Sequence, residues 1–128
     1  AARPAPHDRE LLPDCLTHLF EPRSGTGLEL VLQALHAAPD TVEVQEYGCA
    51  TLRSSAAESP DNRALIASLR GAEILVEALR NHPLQSKVQA AACGGLGNLA
   101  HDNAGNKAHI LKLGGIQLVL KAMLGFSD

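Results

Sequence analysis

Val88-Gln89-Ala90-Ala91-Ala92-Cys93-Gly94-Gly95-Leu96-Gly97-Asn98-Leu99-Ala100 is the stretch that decides the fold. Val88, Ala92 and Leu96 fall four apart, with Ala91, Gly95 and Leu99 on the adjoining line. That spacing makes one face of a helix, not the alternation of a strand. The same face recurs 44 residues upstream as Val44, Gly48 and Leu52, flanked by Tyr47, Thr51 and Ser55. Extending the register without a gap aligns Gly27–Arg70 with Gly71–Gly114. Identities then fall at Gly27/Gly71, Glu29/Glu73, Ala34/Ala78, Leu35/Leu79, Pro39/Pro83, Val44/Val88, Gln45/Gln89, Cys49/Cys93, Leu52/Leu96, Ala56/Ala100, Asn62/Asn106, Ala64/Ala108, Ile66/Ile110 and Leu69/Leu113. A third copy opens at Gly115, where Ile116–Ala122 echoes Ala72–Ala78. A period in the forties with no strand signal points to an all-α, helical solenoid.

The breaks between helices follow the same register. Asp40 or Thr41 can cap a helix, and Asp40 with Glu43 has capping-box spacing. Ser59-Pro60 starts a short helix, with Ser59 as cap and Pro60 at the first helical position. Pro83 disfavours helix at the residue before it. The expected helices are Gly27–Ala37, Thr41–Ala57, Asp61–Leu69, Ala72–Asn81, Gln85–Ala100, Ala104–Leu113 and Ile116–Leu124, with Gly71 ending the third. Upstream, Leu11, Leu12, Cys15, Leu16, Leu19 and Phe20 suit an amphipathic helix within Asp8–Phe20, and Pro22–Gly27 reads as a link. The expected organisation is therefore an irregular capping helix and linker over 1–26, then repeats over 27–70, 71–114 and a partial 115–128.

Composition bounds what such an array does. A chain of 128 residues is one domain at most. Its only aromatic residues are Phe20, Tyr47 and Phe126, so packing must come from Ala, Leu, Val and Ile on closely approaching helices. The net charge of −3, from 14 acidic and 11 basic residues, disfavours nucleic acid as a partner. No apolar run approaches the ~20 residues of a membrane span. Cys15, Cys49 and Cys93 form neither CxxC nor Cys–His clusters, and Cys49 and Cys93 share a repeat position. They read as packing residues in a reducing compartment, cytosol or nucleus, with no metal site.

Nor do the remaining motifs call for a cofactor or a catalytic residue. Gly95-Leu96-Gly97-Asn98-Leu99-Ala100 is literally GxGxxA, but that fingerprint needs a strand before the glycines, and Gln89–Cys93 continues a helix. The six histidines show no HExxH or HxH spacing. His36, His82 and His101 fall at or near helix ends, where a cation complements the macrodipole. No nucleophile elbow or pair of carboxylates is evident.

The run Val88–Ala100, followed by Asn106, Ile110 and Gly114-Gly115-Ile116-Gln117-Leu118-Val119, resembles the armadillo repeat, written roughly VQxxAxxxLxNLA, NxxxI, GGIxxLVxLL. The first copy matches through Val44-Gln45, Leu52, Ala56, Asn62, Ile66, Gly71 and Ile74, and the resemblance covers Gly27 to Leu124. HEAT repeats, with two helices per unit, are the nearest competitor. The resemblance implies a right-handed α-solenoid of about two full repeats plus a partial third. It also implies a non-catalytic scaffold that holds a protein or peptide partner along its long third helices. The groove residues would be Glu46, Ala50, Arg53, Ser54 and Ala57, with Ala90, Gly94, Gly97, Asn98 and His101 as their partners one repeat later. Asn98 falls on the position that bonds a ligand backbone in the family. Gly94 stands where importin alpha-type members carry Trp, so nuclear-localisation-signal binding is not implied.

Two further expectations concern the whole chain. The first is that it is a regulatory segment of a larger signalling enzyme, as the alternative to a free-standing scaffold. The second is that Ile110, Leu113, Leu118, Val119 and Met123 lack a covering helix. The chain then either self-associates through them as a homo-oligomer or belongs to a longer array.

Overall fold

The structure, a computed structural model, describes residues 25–126. Among the described residues there are seven helices and no strand: α1 Gly25–Ala37, α2 Val42–Glu58, α3 Pro60–Ser68, α4 Gly71–Asn81, α5 Ser86–Ala100, α6 Ala104–Lys112 and α7 Gly115–Gly125. Each lies within one or two residues of its expected span. The expected helix Asp8–Phe20 lies outside the described residues. The link expected over Pro22–Gly27 is already helical from Gly25.

One apolar cluster runs through the molecule. In α1, Leu28, Val31, Leu32 and Leu35 occupy a single stripe and are buried. α2 contributes Cys49, Leu52 and Ala56, and α4 contributes Leu75, Val76, Ala78 and Leu79. α5 adds Val88, Ala91, Ala92, Leu96 and Leu99. Among the described residues no aromatic ring belongs to this cluster. Small side chains replace rings as the means of close packing. A Cβ on Gly95 would lie 3.0 Å from Leu75 Cδ1, so α5 rests directly on α4. Each fully buried leucine contributes roughly 1.5–3 kcal/mol, and helix propensity adds little.

Side-chain hydrogen bonds lock the units in one register. Gln45 Nε2 donates to the carbonyls of Leu35 and Ala38, both at 3.0 Å. One unit later, Gln89 Nε2 donates to Leu79 (3.0 Å) and His82 (2.8 Å). Each glutamine thus ties the orphan carbonyls ending one helix to the next helix. Asn62 Nδ2 donates to Ser55 O and Asn106 Nδ2 to Leu99 O, each at 2.9 Å. The same two asparagines donate their backbone N–H to the helix caps, Ser59 Oγ and Asn103 Oδ1. The buried His82 lies with Nε2 2.6 Å from Pro39 O, so Nε2 carries the proton. His82 therefore joins the loop after α4 to the loop after α1.

Three local expectations are corrected. Thr41 is the N-cap of α2 without a side-chain cap bond, so no Asp40–Glu43 capping box forms. Gly71 does not end α3 by adopting a left-handed backbone. Arg70 does so, at φ 66°, and Gly71 opens α4. A Cβ on Gly71 would lie 2.8 Å from the Ile66 carbonyl oxygen, so that glycine is needed for closeness. In α3, only Ile66 is fully buried, while Leu65 and Leu69 are partly so.

Candidate interaction surface

α2 and α5 pack side by side more extensively than any other helix pair. Their outward positions carry the residues expected to meet a partner. Ala50, Arg53, Ser54, Ala57, Ala90 and His101 are exposed, and Glu46, Gly94 and Asn98 are half-buried between the two helices. Three contacts cross the seam. Lys87 Nζ, on an exposed side chain, lies 3.9 Å from Glu46 Oε1 near one end, and so loose a pair is worth little. In the middle, the Arg53 side chain lies across Gly94, whose missing Cβ would fall 2.7 Å from Arg53 Cδ. Next to it, Asn98 Nδ2 donates to Arg53 O at 2.9 Å. Position 94 is thus a glycine with an arginine folded over it. The amide expected to serve a ligand backbone bonds the neighbouring helix instead. His101, with Nε2 3.4 Å from Asp102 Oδ2, is solvated at the end of α5.

Gly97 does not belong to this seam. No heavy atom lies within 4 Å of the position its Cβ would take. It opens instead onto an apolar hollow of about 270 Å³, lined by Cys93, Leu96, Ala100, Ile110, Leu111, Ile116, Val119 and Leu120. The residues expected to lie bare at this end are only partly so. Ile110 is buried beneath Gly115, whose missing Cβ would lie 2.6 Å from Ile110 Cγ2. Leu113, Leu118 and Val119 are half-buried, and Met123 is exposed. Leu111, Ile116, Leu120, Leu124 and Phe126 are exposed beside Met123. Of the five residues expected to lie bare, Met123 does, and Ile110 is the one that is fully buried.

Another hollow, of about 510 Å³, lies between α1 and α4. Leu32, Leu69 and Ile74 line it together with Glu29, Glu73, Glu77, Gln33, His36 and Arg70. Glu29 and Glu73 are repeat equivalents, so the signal was present as one identity of the 44-residue alignment. Its meaning needed α1 and α4 to be placed side by side. Glu73 is held by His109 Nε2 at 2.7 Å and Arg70 Nε at 3.1 Å. Partial burial raises its pKa, but the hydrogen bonds from His109 and Arg70 outweigh that and hold the carboxyl below the ordinary glutamate value.

The cysteines differ in setting. Cys49 is fully buried, and burial pushes its thiol up to about 12. Cys93, half-buried at the apolar hollow, is raised in the same direction. Among the described residues, no three His, Cys, Asp or Glu side chains gather as a metal site would require. No single described helix is long and apolar enough to cross a membrane. Comparison with protein-family models, curated proteins and solved structures finds no match to this chain.

Proposed function

We propose that the chain is an armadillo-type repeat module, a right-handed solenoid, and that it holds a protein partner on the α2–α5 face without catalysing a reaction. The observation that carries this reading is the repetition of hydrogen bonds in register. Gln45 and Gln89 clamp equivalent carbonyls, and so do Asn62 and Asn106. Bonds repeated at one spacing give each unit the same internal helix arrangement, and the cross-unit bonds His82 to Pro39 O and Asn98 to Arg53 O join the units with their long helices side by side. With the Asn98 amide engaged by Arg53, recognition falls to exposed side chains, chiefly the Arg53 guanidinium, more than to a ladder of backbone bonds. A helix with an acidic edge suits that surface as well as an extended peptide does.

The test is site-specific photocrosslinking in cell extract. A photoreactive residue at Ala50, exposed on the α2–α5 face, is compared with one at Leu84, exposed in the loop before α5. The expected result is a discrete adduct at position 50, absent at 84 and abolished by Arg53→Glu. Equal labelling from both positions, or a Ser54- and Arg53-independent adduct, would remove this face from the reading.

A further inference from the structure

We infer that the hollow of about 510 Å³ between α1 and α4 is a seat for an arginine side chain presented by a partner polypeptide. The hollow shares no lining residue with the α2–α5 face, so the inference does not rest on that reading. It lies between two units that are both present, and a repeat stacked on either end of the array leaves it open. Its floor is apolar, made by Leu32, Leu69 and Ile74, and its rim carries Glu29, Glu73 and Glu77 against the one arginine, Arg70. Among the described residues no three His, Cys, Asp or Glu side chains converge as a metal ion would require. Carboxylates spread around an apolar floor suit an organic cation on an apolar stem.

The junction between α4 and α7 shows which cation. There Arg80 Nη2 donates to Leu113 O at 2.9 Å, so a guanidinium lies over the turn that joins α6 to α7. One unit earlier the equivalents are His36 and Leu69, and both line the hollow. No side chain among the described residues donates to the Leu69 carbonyl. The hollow is thus the place that a guanidinium takes one unit later, with the equivalent acceptor still present. The surrounding charge differs in the same sense. Glu73 and Glu77 have Gln117 and Lys121 as their equivalents, so carboxylates stand at the junction that lacks the arginine. Glu73 is engaged by His109 and Arg70. Among the described residues Glu29 and Glu77 have no ion-pair partner, and their charge is complementary to an incoming guanidinium.

The test is calorimetric titration of the full chain with a capped peptide, acetyl-Ser-Leu-Arg-Leu-Ser-amide. The control peptide carries citrulline, which keeps the shape of arginine and removes its charge. The expected result is saturable one-to-one binding at low salt, weakened about tenfold or more by the citrulline exchange. Glu29→Gln and Glu77→Gln are each expected to weaken it about threefold. Both glutamates are exposed, so these variants should keep the wild-type thermal midpoint. His36→Arg supplies within the chain the arginine that Arg80 provides one unit later, and is expected to abolish binding. Absence of saturable binding, equal affinity for the citrulline peptide, or undiminished binding by His36→Arg overturns the proposal. So does acetyl-arginine amide binding as tightly as the peptide, which would assign the hollow to a small molecule. The remaining arm changes Arg3, Arg9 and Arg23 to serine. Unchanged peptide affinity supports a partner's arginine, whereas affinity raised about tenfold would assign the seat to the chain's own arginines and overturn it.

Discussion

Gln89 makes in the second unit the pair of hydrogen bonds that Gln45 makes in the first, with acceptors ten and seven residues before it in each case. Both side chains are buried, so each amide replaces water for two helix-terminal carbonyls that water no longer reaches. Gln89→Met keeps the volume and removes the donor. It is expected to cost about 2–4 kcal/mol, because two buried acceptors are left unpaired. Urea unfolding should show a lower midpoint with an unchanged slope. Wild-type stability would mean that the clamp contributes nothing net.

Asn98→Ala separates a packing role from a binding one. The resemblance drawn from the sequence placed Asn98 in a partner site. Its bond to Arg53 O predicts a destabilisation of about 1 kcal/mol even without a partner. Chemical denaturation of the free protein checks this, and an unchanged midpoint would return Asn98 to the surface as a free group.

Arg70→Gly should stabilise the chain by about 0.5–1 kcal/mol. Arg70 sits at φ 66°, whereas its repeat equivalent is Gly114, at φ 79°. A side chain in that left-handed region costs roughly 1–2 kcal/mol, partly offset by the greater unfolded-state freedom of glycine. The bond from Arg70 to Glu73 is lost, but its arginine is largely exposed and such pairs contribute little. A lower thermal midpoint in the variant would contradict the conformational argument.

Glu73 sets an acid limb on stability. Its folded pKa lies below the ordinary value of 4.5, so below that value the unfolded chain binds more protons than the folded one. The contribution is present above pH 4.5 and is lost as pH falls through the folded value. Glu73→Gln is expected to be less stable than wild type at pH 7, with the gap closing toward pH 3. Urea midpoints measured across that range test the sign, and a gap that widens on acidification would reverse it.

Helix positions were legible because each rests on local chemistry: Ser59 before Pro60, Pro83 after Asn81, and apolar residues three and four apart. Gln45 and Gln89 were visible only as a recurring pair of letters, since their acceptors depend on how one helix crosses another. The left-handed Arg70 was hidden for a related reason. Gly71 advertised the turn, yet its small size answers to Ile66 one turn back, and the conformational strain fell on its neighbour. Exposure at the end face was misjudged at Ile110 because the bend of 75° between α6 and α7 folds Gly115 over it. Ser55, whose repeat equivalent is Leu99, falls on the inner face by spacing and is buried there, but nothing in the spacing signalled that its hydroxyl would be left without a partner.

The His82 ring has a consequence for how the molecule comes apart. Gln45 holds Ala38, Pro39 accepts from His82, and His82 in turn is held through its carbonyl by Gln89. The links form a chain in series from one unit to the next, with no slack residue between them. A unit that frays pulls on the loop its neighbour depends on, so the boundary between repeats is a poor place for melting to stop. Heat therefore meets a single cooperative block where a string of beads would have opened one at a time.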